Sequence, residues 1–94
     1  MDPLEELIKE VHNNPIVKKC TFANNFLNSA ANIFQRDGYG GLELFLQERK
    51  SRDSLKEQVE ALFVVSKMMR KYPIVKQKRG YGRLLIKSLI STNK

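Results

Sequence analysis

Apolar residues recur at helical spacing along most of the chain. The first such stripe, spaced i, i+3, i+4 and i+7, consists of Leu4, Leu7, Ile8 and Val11. Asp2 is placed to cap this helix, and Pro3 suits its first position. The helix is expected to end at Asn13, Asn14 and Pro15, because the residue before a proline disfavours helical conformation.

A second helix is predicted from near Thr21 to Asp37. Its apolar face consists of Phe22, Phe26, Leu27, Ala30, Ile33 and Phe34. Gly38 can adopt the left-handed conformation that ends a helix. The glycine-rich segment GYGG at 38–41 then forms a flexible joint, followed by a further helix from Leu42 to about Lys50.

The longest predicted helix runs from Leu55 to about Lys71, with a capping box formed by Ser54 and Glu57. Whether the segment SRDS at 51–54 breaks the chain or is bridged by one long helix stays open. The apolar positions of this helix occupy more than one stripe: Leu55, Val59, Leu62, Phe63, Val64, Val65, Met68 and Met69. Such width predicts burial on two sides, either by a second subunit or by the other helices of the same chain.

The segment after Pro73 has two interpretations. RLLIKSLIS at 83–91 fits a short helix, whereas PIVKQ and RLLIK fit two strands around a turn at KRGYG. We favour the helix. The predicted fold is therefore an all-α helical bundle, forming a homodimer, in one domain with a helical part (1–50) and a long helix plus basic segment (54–94). The alternative is a winged-helix-like α+β fold with a C-terminal hairpin.

Two short echoes occur along the chain. NPIVKK at 14–19 resembles YPIVKQ at 72–77, and GYG occurs at both 38–40 and 80–82. The two offsets differ, whereas a tandem duplication would produce one. These short similarities are therefore either coincidences or reused local chemistry, and they do not indicate a repeat fold.

Charge is strongly segregated along the sequence. Residues 1–47 contain four basic and six acidic side chains, whereas residues 48–94 contain thirteen basic and four acidic ones. The last acid is Glu60, and nine Lys or Arg residues follow it. Segregation of this kind costs stability through self-repulsion, and it is typical either of an anionic partner or of a solvated tail.

Catalytic and cofactor chemistry is poorly supplied. Cys20 is the single cysteine, which excludes an internal disulfide and a thiolate-rich zinc site. His12 is the single histidine and is expected at a helix end. There is neither a phosphate-binding glycine loop nor an apolar run long enough to span a bilayer. We therefore expect no enzyme activity, cofactor, metal or membrane partner, and a reducing intracellular location such as the cytoplasm.

Nucleic acid is the partner that the basic residues favour. The candidate contacts on the long helix are Lys56, Lys67, Arg70 and Lys71, and those before it are Arg49, Lys50 and Arg52. The candidate contacts after Pro73 are Lys76, Lys78, Arg79, Tyr81, Arg83 and Lys87. Tyr72 and Tyr81 can stack on bases, and Gly80 and Gly82 allow close approach of an anion. No motif for reading base edges is present, so contact with phosphates and helix shape is expected, with double-stranded RNA preferred over DNA.

Residues 65–80, VSKMMRKYPIVKQKRG, resemble the insect nodavirus suppressors of RNA silencing. The matching positions are Val65, Ser66, Lys67, Met68, Lys71, Pro73, Val75 and Gly80. The resemblance implies an antiparallel helical dimer that lies along one face of double-stranded RNA, and it makes Lys67 and Lys71 backbone contacts. Two other interpretations remain open: a winged-helix-like DNA-binding protein, and an adaptor that docks a partner protein through Phe63, Met68 and Met69.

Overall fold

The computed structural model describes residues 2–92, with side chains for residues 2–90. Its helices are α1 (Pro3–Asn13), α2 (Pro15–Lys19), α3 (Asn24–Lys50), α4 (Lys56–Arg70), α5 (Pro73–Gln77) and α6 (Arg79–Ser88). Single 3-10 turns lie at Asp53–Leu55 and Leu89–Thr92. No strand occurs within the described range, so the prediction of an all-α bundle is confirmed.

Helix α3 is broken at Gly38 into two arms, residues 24–37 and 39–50. Gly38 has φ 73° and ψ −157°, whereas the residues on either side are helical. A positive φ of this size is costly for any residue with a Cβ, so glycine is required at this position. A glycine with positive φ was predicted at position 38. The flexible joint predicted at residues 38–41 is shorter than expected, because helical structure resumes at Tyr39.

Helix α4 is covered by the rest of its own chain. Its buried residues are Val59, Ala61, Leu62, Val65, Ser66, Met68 and Met69. Helices α1, α2, α3 and α5 all pack against it. The other helices of the chain therefore cover most of this wide apolar surface, while Phe63 and Val64 stay half-buried. The same burial removes Met68 and Met69 from the surface that an adaptor would need.

The C-terminal segment is helical and not a hairpin. The sequence KRGYG, expected as the turn of a wing in the alternative fold, contains the N-cap Lys78 and the first turn of α6. The wing prediction was wrong because Gly82, Leu85, Ile86 and the following Leu89 form one buried helical face instead of alternating sides. α6 packs on α3 along this face.

The two PIV echoes form the same local structure. Pro15–Lys19 and Pro73–Gln77 are both five-residue helices with proline at the first turn. Each buries its central valine, Val17 in α2 and Val75 in α5. The shared sequence thus encodes a reused corner between longer helices. α2 itself was missed by the sequence analysis, because five residues are too short to show helical periodicity.

The helix ends follow the predicted capping only in part. Asp2 accepts a hydrogen bond from Leu4 N at 3.0 Å, as expected. The capping box at Ser54 and Glu57 is not formed, since Leu55 is the N-cap of α4 and no side chain bonds it. Helix α3 ends at Lys50, and the chain forms a 3-10 turn before α4 begins. This turn places Leu55 against the core.

Candidate nucleic-acid interface

Helices α3 and α6 run antiparallel along a polar seam at their outer edge. Arg79 Nη1 donates to the Arg36 carbonyl at 2.9 Å. One turn further along α6, Arg83 Nε donates to Asn32 Oδ1 at 3.3 Å, one turn earlier on α3. The two contacts therefore fix the register of α6 on the first arm of α3.

Basic residues form a stripe on the α6 side of this seam. Arg79, Arg83 and Lys87 are spaced i, i+4 and i+8, so successive residues lie about 6 Å apart on one side of the helix. Lys76 and Lys78 are exposed just before the helix begins. Five of the cationic residues predicted from the sequence are thus placed on or next to one helix.

The first arm of α3 adds a stripe of uncharged polar side chains. Those within one arc of the helix are Asn25, Asn28, Ser29, Asn32 and Gln35, followed by Arg36. All are exposed except Asn28, which is half-buried. Amide side chains and hydroxyls also donate hydrogen bonds to phosphate and sugar oxygens in complexes of proteins with nucleic acids. This stripe was not predicted because it carries no charge, although its i, i+3, i+7 spacing is readable in the sequence.

We call the resulting surface the α3–α6 face. Its residues are Asn25, Asn28, Ser29, Asn32, Gln35, Arg36, Lys76, Lys78, Arg79, Tyr81, Arg83 and Lys87. Neither of its two segments, residues 24–36 and 73–92, contains an acidic residue. The nearest acid in the chain, Asp37, is paired with Arg36 at 3.0 Å. The face therefore combines positive charge with hydrogen-bonding side chains.

The N-terminus of α6 lies within this face. No side chain caps it, because Lys78 is the N-cap residue. Tyr81 is half-buried one turn into the helix, with Lys78 Nζ 5.7 Å from the centre of its ring. Tyr81 and the half-exposed Leu84 line a shallow depression with Lys78 and Arg83. The positive end of the helix dipole thus adds to the charge of these side chains.

Arg70 contacts the second arm of α3, just beyond the kink. Its guanidinium lies 4.2 Å from the centre of the Tyr39 ring and 2.6 Å from Glu43 Oε1. Its side chain is half-exposed, but an ion pair and a ring already engage it. Arg70 was predicted as a phosphate contact, and the structure shows that it also fastens α4 to the second arm of α3.

Lys67 and Lys71 are both exposed on α4, one turn apart, in the arrangement expected from the sequence. Tyr72, which we expected to be available for stacking, instead donates a hydrogen bond to the Glu10 carboxylate of α1. This bond raises the pKa of Tyr72 and ties the α4–α5 corner to α1. The positive strip predicted from Lys67 onward is therefore interrupted at Tyr72.

The remaining candidates form a group at the turn between α3 and α4, where Arg49 lines a shallow depression together with Asn25 and Ser29 of the α3–α6 face. We call Arg49, Lys50, Arg52 and Lys56 the turn cluster. The arm from Tyr39 to Lys50 separates it from the kink by about 16 Å. Arg49 stacks on Phe45 at 4.5 Å and pairs with Glu48 at 3.5 Å. Asp53 and Glu57 share a depression with Lys56, so acids are interspersed with bases here.

His12 and Ser88 lie 2.9 Å apart, joining α1 to α6. The sequence analysis did not anticipate this pairing of distant residues. Ser88 Oγ also donates to the Leu85 carbonyl, so when it makes that bond His12 Nε2 is the donor in the contact between the two side chains. Burial also lowers the pKa of His12.

The Cys20 thiol is buried, and burial together with the charge of Glu57 raises its pKa. A thiol held protonated in this way is a poor nucleophile. Within residues 2–92, no group of three or more His, Cys, Asp or Glu side chains is positioned to hold a metal ion. None of the described helices is both long and apolar enough to cross a membrane.

Comparison of the chain with protein-family models, curated proteins and solved structures gave no match. The functional assignment therefore depends on the chemistry of the surfaces described above.

Proposed function

We propose that this protein binds nucleic acid through the phosphate backbone, without sequence preference, and that it prefers double-stranded RNA. The observation that carries the proposal is the acid-free α3–α6 face, on which a cationic helix and an amide-rich helix run side by side. Most hydrogen bonds between proteins and nucleic acids go to phosphate and sugar, from Arg, Lys and amide or hydroxyl side chains. The α3–α6 face carries these groups over the length of α6.

The spacing of the cations supports contact with a regular phosphate backbone. The side chains of Arg79, Arg83 and Lys87 follow one line, and Arg79 and Arg83 are held in place by bonds to α3. Side chains that are fixed in advance lose less conformational freedom on binding than mobile ones. The first-turn amides of α6 add a further donor group for a phosphate at the Arg79 end of this line.

Two features favour double-stranded RNA over sequence-specific DNA recognition. The short side chains of Asn and Ser are suited to the sugar hydroxyls and phosphates that line the shallow minor groove of A-form RNA. The wing that was expected to enter a DNA groove is absent from the described residues, where α6 replaces it. Binding to duplex DNA is an outcome that the experiment distinguishes.

The resemblance of residues 65–80 to nodavirus suppressors of RNA silencing adds a biological role to the proposal. In that role the protein sequesters double-stranded RNA in the cytoplasm of a virus-infected cell, acts as a homodimer and is not an enzyme. Lys67 and Lys71 would then form a second line of backbone contacts on α4. Their exposure is compatible with this role.

The decisive experiment is a fluorescence-anisotropy titration with labelled duplex RNA, duplex DNA and single strands, repeated at several salt concentrations. We expect the tightest binding to duplex RNA and a steep linear fall of log K with log salt concentration. Equal affinity for RNAs of unrelated sequence is also expected. Lack of binding to every nucleic acid at low salt would overturn the proposal.

The proposed role in silencing needs its own test in cells. A reporter gene silenced by duplex RNA should recover expression when the protein is co-expressed. Recovery should be lost in a variant that no longer binds duplex RNA. Binding in solution without recovery in cells would leave the nucleic-acid proposal intact and remove the proposed role as a silencing suppressor.

A further inference from the structure

A shallow depression of about 330 Å³ opens on the surface where α6 begins and meets the first arm of α3. It is lined by Gln35 of α3 and by Lys78, Gly80, Tyr81, Arg83 and Leu84. None of these lining residues is acidic, and two of them are cations. We call it the Gly80 depression.

Gly80 keeps this depression open. A Cβ built on Gly80 would meet no atom within 4 Å, so it would project into open space. At Gly82, two positions further along α6, the corresponding Cβ would collide with the ring of Phe34. Packing within the chain therefore requires glycine at position 82 and not at position 80. Because glycine weakens a helix relative to alanine, Gly80 leaves room for a ligand at a cost to the stability of α6.

Apolar surface lines the same depression. Leu84 is 50% exposed, although leucine is among the residues most often buried. Tyr81 lies one turn before it and is half-buried, with Lys78 Nζ 5.7 Å from the centre of its ring. A flat ligand that covers Leu84 and Tyr81 would remove apolar surface from water, which stabilises a complex. The two cations favour a ligand that also carries negative charge.

Arg83 connects the Gly80 depression to the line of cations on α6. It follows Arg79 and precedes Lys87 in that line, and its Nε donates to Asn32 Oδ1 at 3.3 Å. A nucleic-acid strand whose phosphates contact this line passes beside the depression. The bases of a duplex are paired and point inward, whereas an unpaired base is free to turn outward and contact an aromatic side chain.

We propose that the Gly80 depression binds the base of one unpaired nucleotide next to a duplex that lies on the α3–α6 face. The base covers Leu84 and Tyr81, and its phosphate lies between Lys78 and Arg83. Stacking of a base on an aromatic side chain is tolerant of sequence, because every base has a π-face. A volume of about 330 Å³ lies at the lower end of the range for small-molecule pockets, roughly 300–1,000 Å³, as expected for a ligand with a single ring system. This inference rests on the proposed function and specifies its ligand more closely.

Three RNA duplexes with the same base pairs provide the test. The first is blunt, the second carries one unpaired nucleotide at an end, and the third carries an abasic nucleotide there. The abasic nucleotide adds the same phosphate without a base, so it distinguishes a base site from an added charge. Anisotropy titrations at one salt concentration should show about five-fold or tighter binding of the second duplex than of the other two.

Two variants locate the preference in the depression. Leu84→Gln should abolish the preference and leave the affinity for the blunt duplex unchanged, because it removes apolar surface without changing the charge. Ile16→Gln is the matched control and should keep the preference, since Ile16 is 53% exposed on α2, outside the depression. Gly80→Leu fills the depression and should also abolish the preference. Its urea unfolding midpoint should show a stable fold, because the added Cβ meets no atom within 4 Å.

The outcomes distinguish this inference from the proposed function. Equal affinity of the wild-type protein for the blunt duplex and the one with an unpaired nucleotide would overturn the Gly80 depression as a base site and leave the α3–α6 face intact. A preference that persists with the abasic nucleotide, or in Leu84→Gln or Gly80→Leu, would also overturn it. Failure to bind any of the three duplexes would overturn both proposals. Binding of a peptide rich in leucine and glutamate that is lost in Leu84→Gln, without any preference among the duplexes, would replace the nucleotide with a protein partner.

Discussion

Gly82 of α6 lies directly against the ring of Phe34 in α3. A Cβ built on Gly82 would fall 2.1 Å from Phe34 Cε2 and 2.8 Å from Met69 Cε. The two helices approach this closely only because Gly82 has no side chain. Phe34, Met69 and Gly82 are all buried, so the ring has little room to move away.

Gly82→Ala should therefore destabilise the protein, whereas Gly80→Ala should not. The added methyl group at position 82 overpacks the core, at a cost of about 1–3 kcal/mol. At Gly80 nothing lies within 4 Å of the added Cβ, and alanine should stabilise the helix by about 0.4–1 kcal/mol. Urea unfolding of the two variants measures the difference. An equal loss in both would contradict the close approach at Gly82.

Much of this fold was predictable from periodicity. The stripes of α1, α4 and the first arm of α3 lie where the apolar spacing places them, because each of these helices buries its apolar positions against its neighbours. Gly38 was also predictable, since glycine followed by helical spacing indicates a positive φ. The short α2 and the 3-10 turn before α4 were not predicted, because neither is long enough to show an apolar stripe, although α2 has a local signal in the N-cap Asn14 followed by Pro15.

The candidate interface was predictable only in its charges. Lys76, Lys78, Arg79 and Arg83 were identified from the basic segment alone. Their neighbours Asn32 and Arg36 lie more than forty positions away in the sequence, and only the packing of α6 on α3 brings them together. For the same reason, the His12–Ser88 contact could not be read from the sequence.

Three double substitutions with the same change of net charge should identify the binding surface. Lys78→Gln with Lys87→Gln removes two cations from the α3–α6 face. If both residues contact phosphates, the slope of log K against log salt concentration should become less steep by about two. Lys50→Gln with Lys56→Gln removes two cations from the turn cluster. This pair should reduce the magnitude of the slope by less than half as much as the first pair does, because neighbouring acids already offset these cations.

The third pair, Lys67→Gln with Lys71→Gln, tests the placement implied by the resemblance to nodavirus suppressors. A fall of about two in the slope would make α4 a second line of contacts. An unchanged slope would confine binding to the α3–α6 face. The same titrations would contradict our assignment of that face if the turn-cluster pair had the larger effect.

The burial of His12 between α1 and α6 should make stability depend on pH. Burial lowers the pKa of His12 below its ordinary value of about 6.5, so the folded protein holds this group neutral. The unfolded chain takes up the proton at higher pH than the folded one. The contribution of His12 to the free energy of unfolding is therefore fully present above pH 6.5, and it is lost as the pH falls through the lowered pKa of the folded state.

Urea unfolding midpoints at pH 7.5 and 5.5 measure this dependence. The wild-type midpoint should be lower at pH 5.5, and in His12→Gln the decrease should be smaller because the titrating group is gone. If His12→Gln shows the same decrease as the wild type, another group is responsible. A higher wild-type midpoint at pH 5.5 would show that the folded state favours the charged imidazole.

The proposed homodimer needs an interface other than α4, whose apolar side chains are buried or half-buried within one chain. Leu44 is 69% exposed on the second arm of α3, the highest value among the large apolar residues described. We predict that light scattering gives a mass near twice 10.9 kDa and that Leu44→Glu returns the protein to the monomer mass.

Ile16→Glu is the matched control, since Ile16 is 53% exposed on α2 and its substitution should leave the mass unchanged. A wild-type mass of 10.9 kDa at high concentration would show that the dimer prediction is wrong. The α3–α6 face would then bind nucleic acid as a single surface.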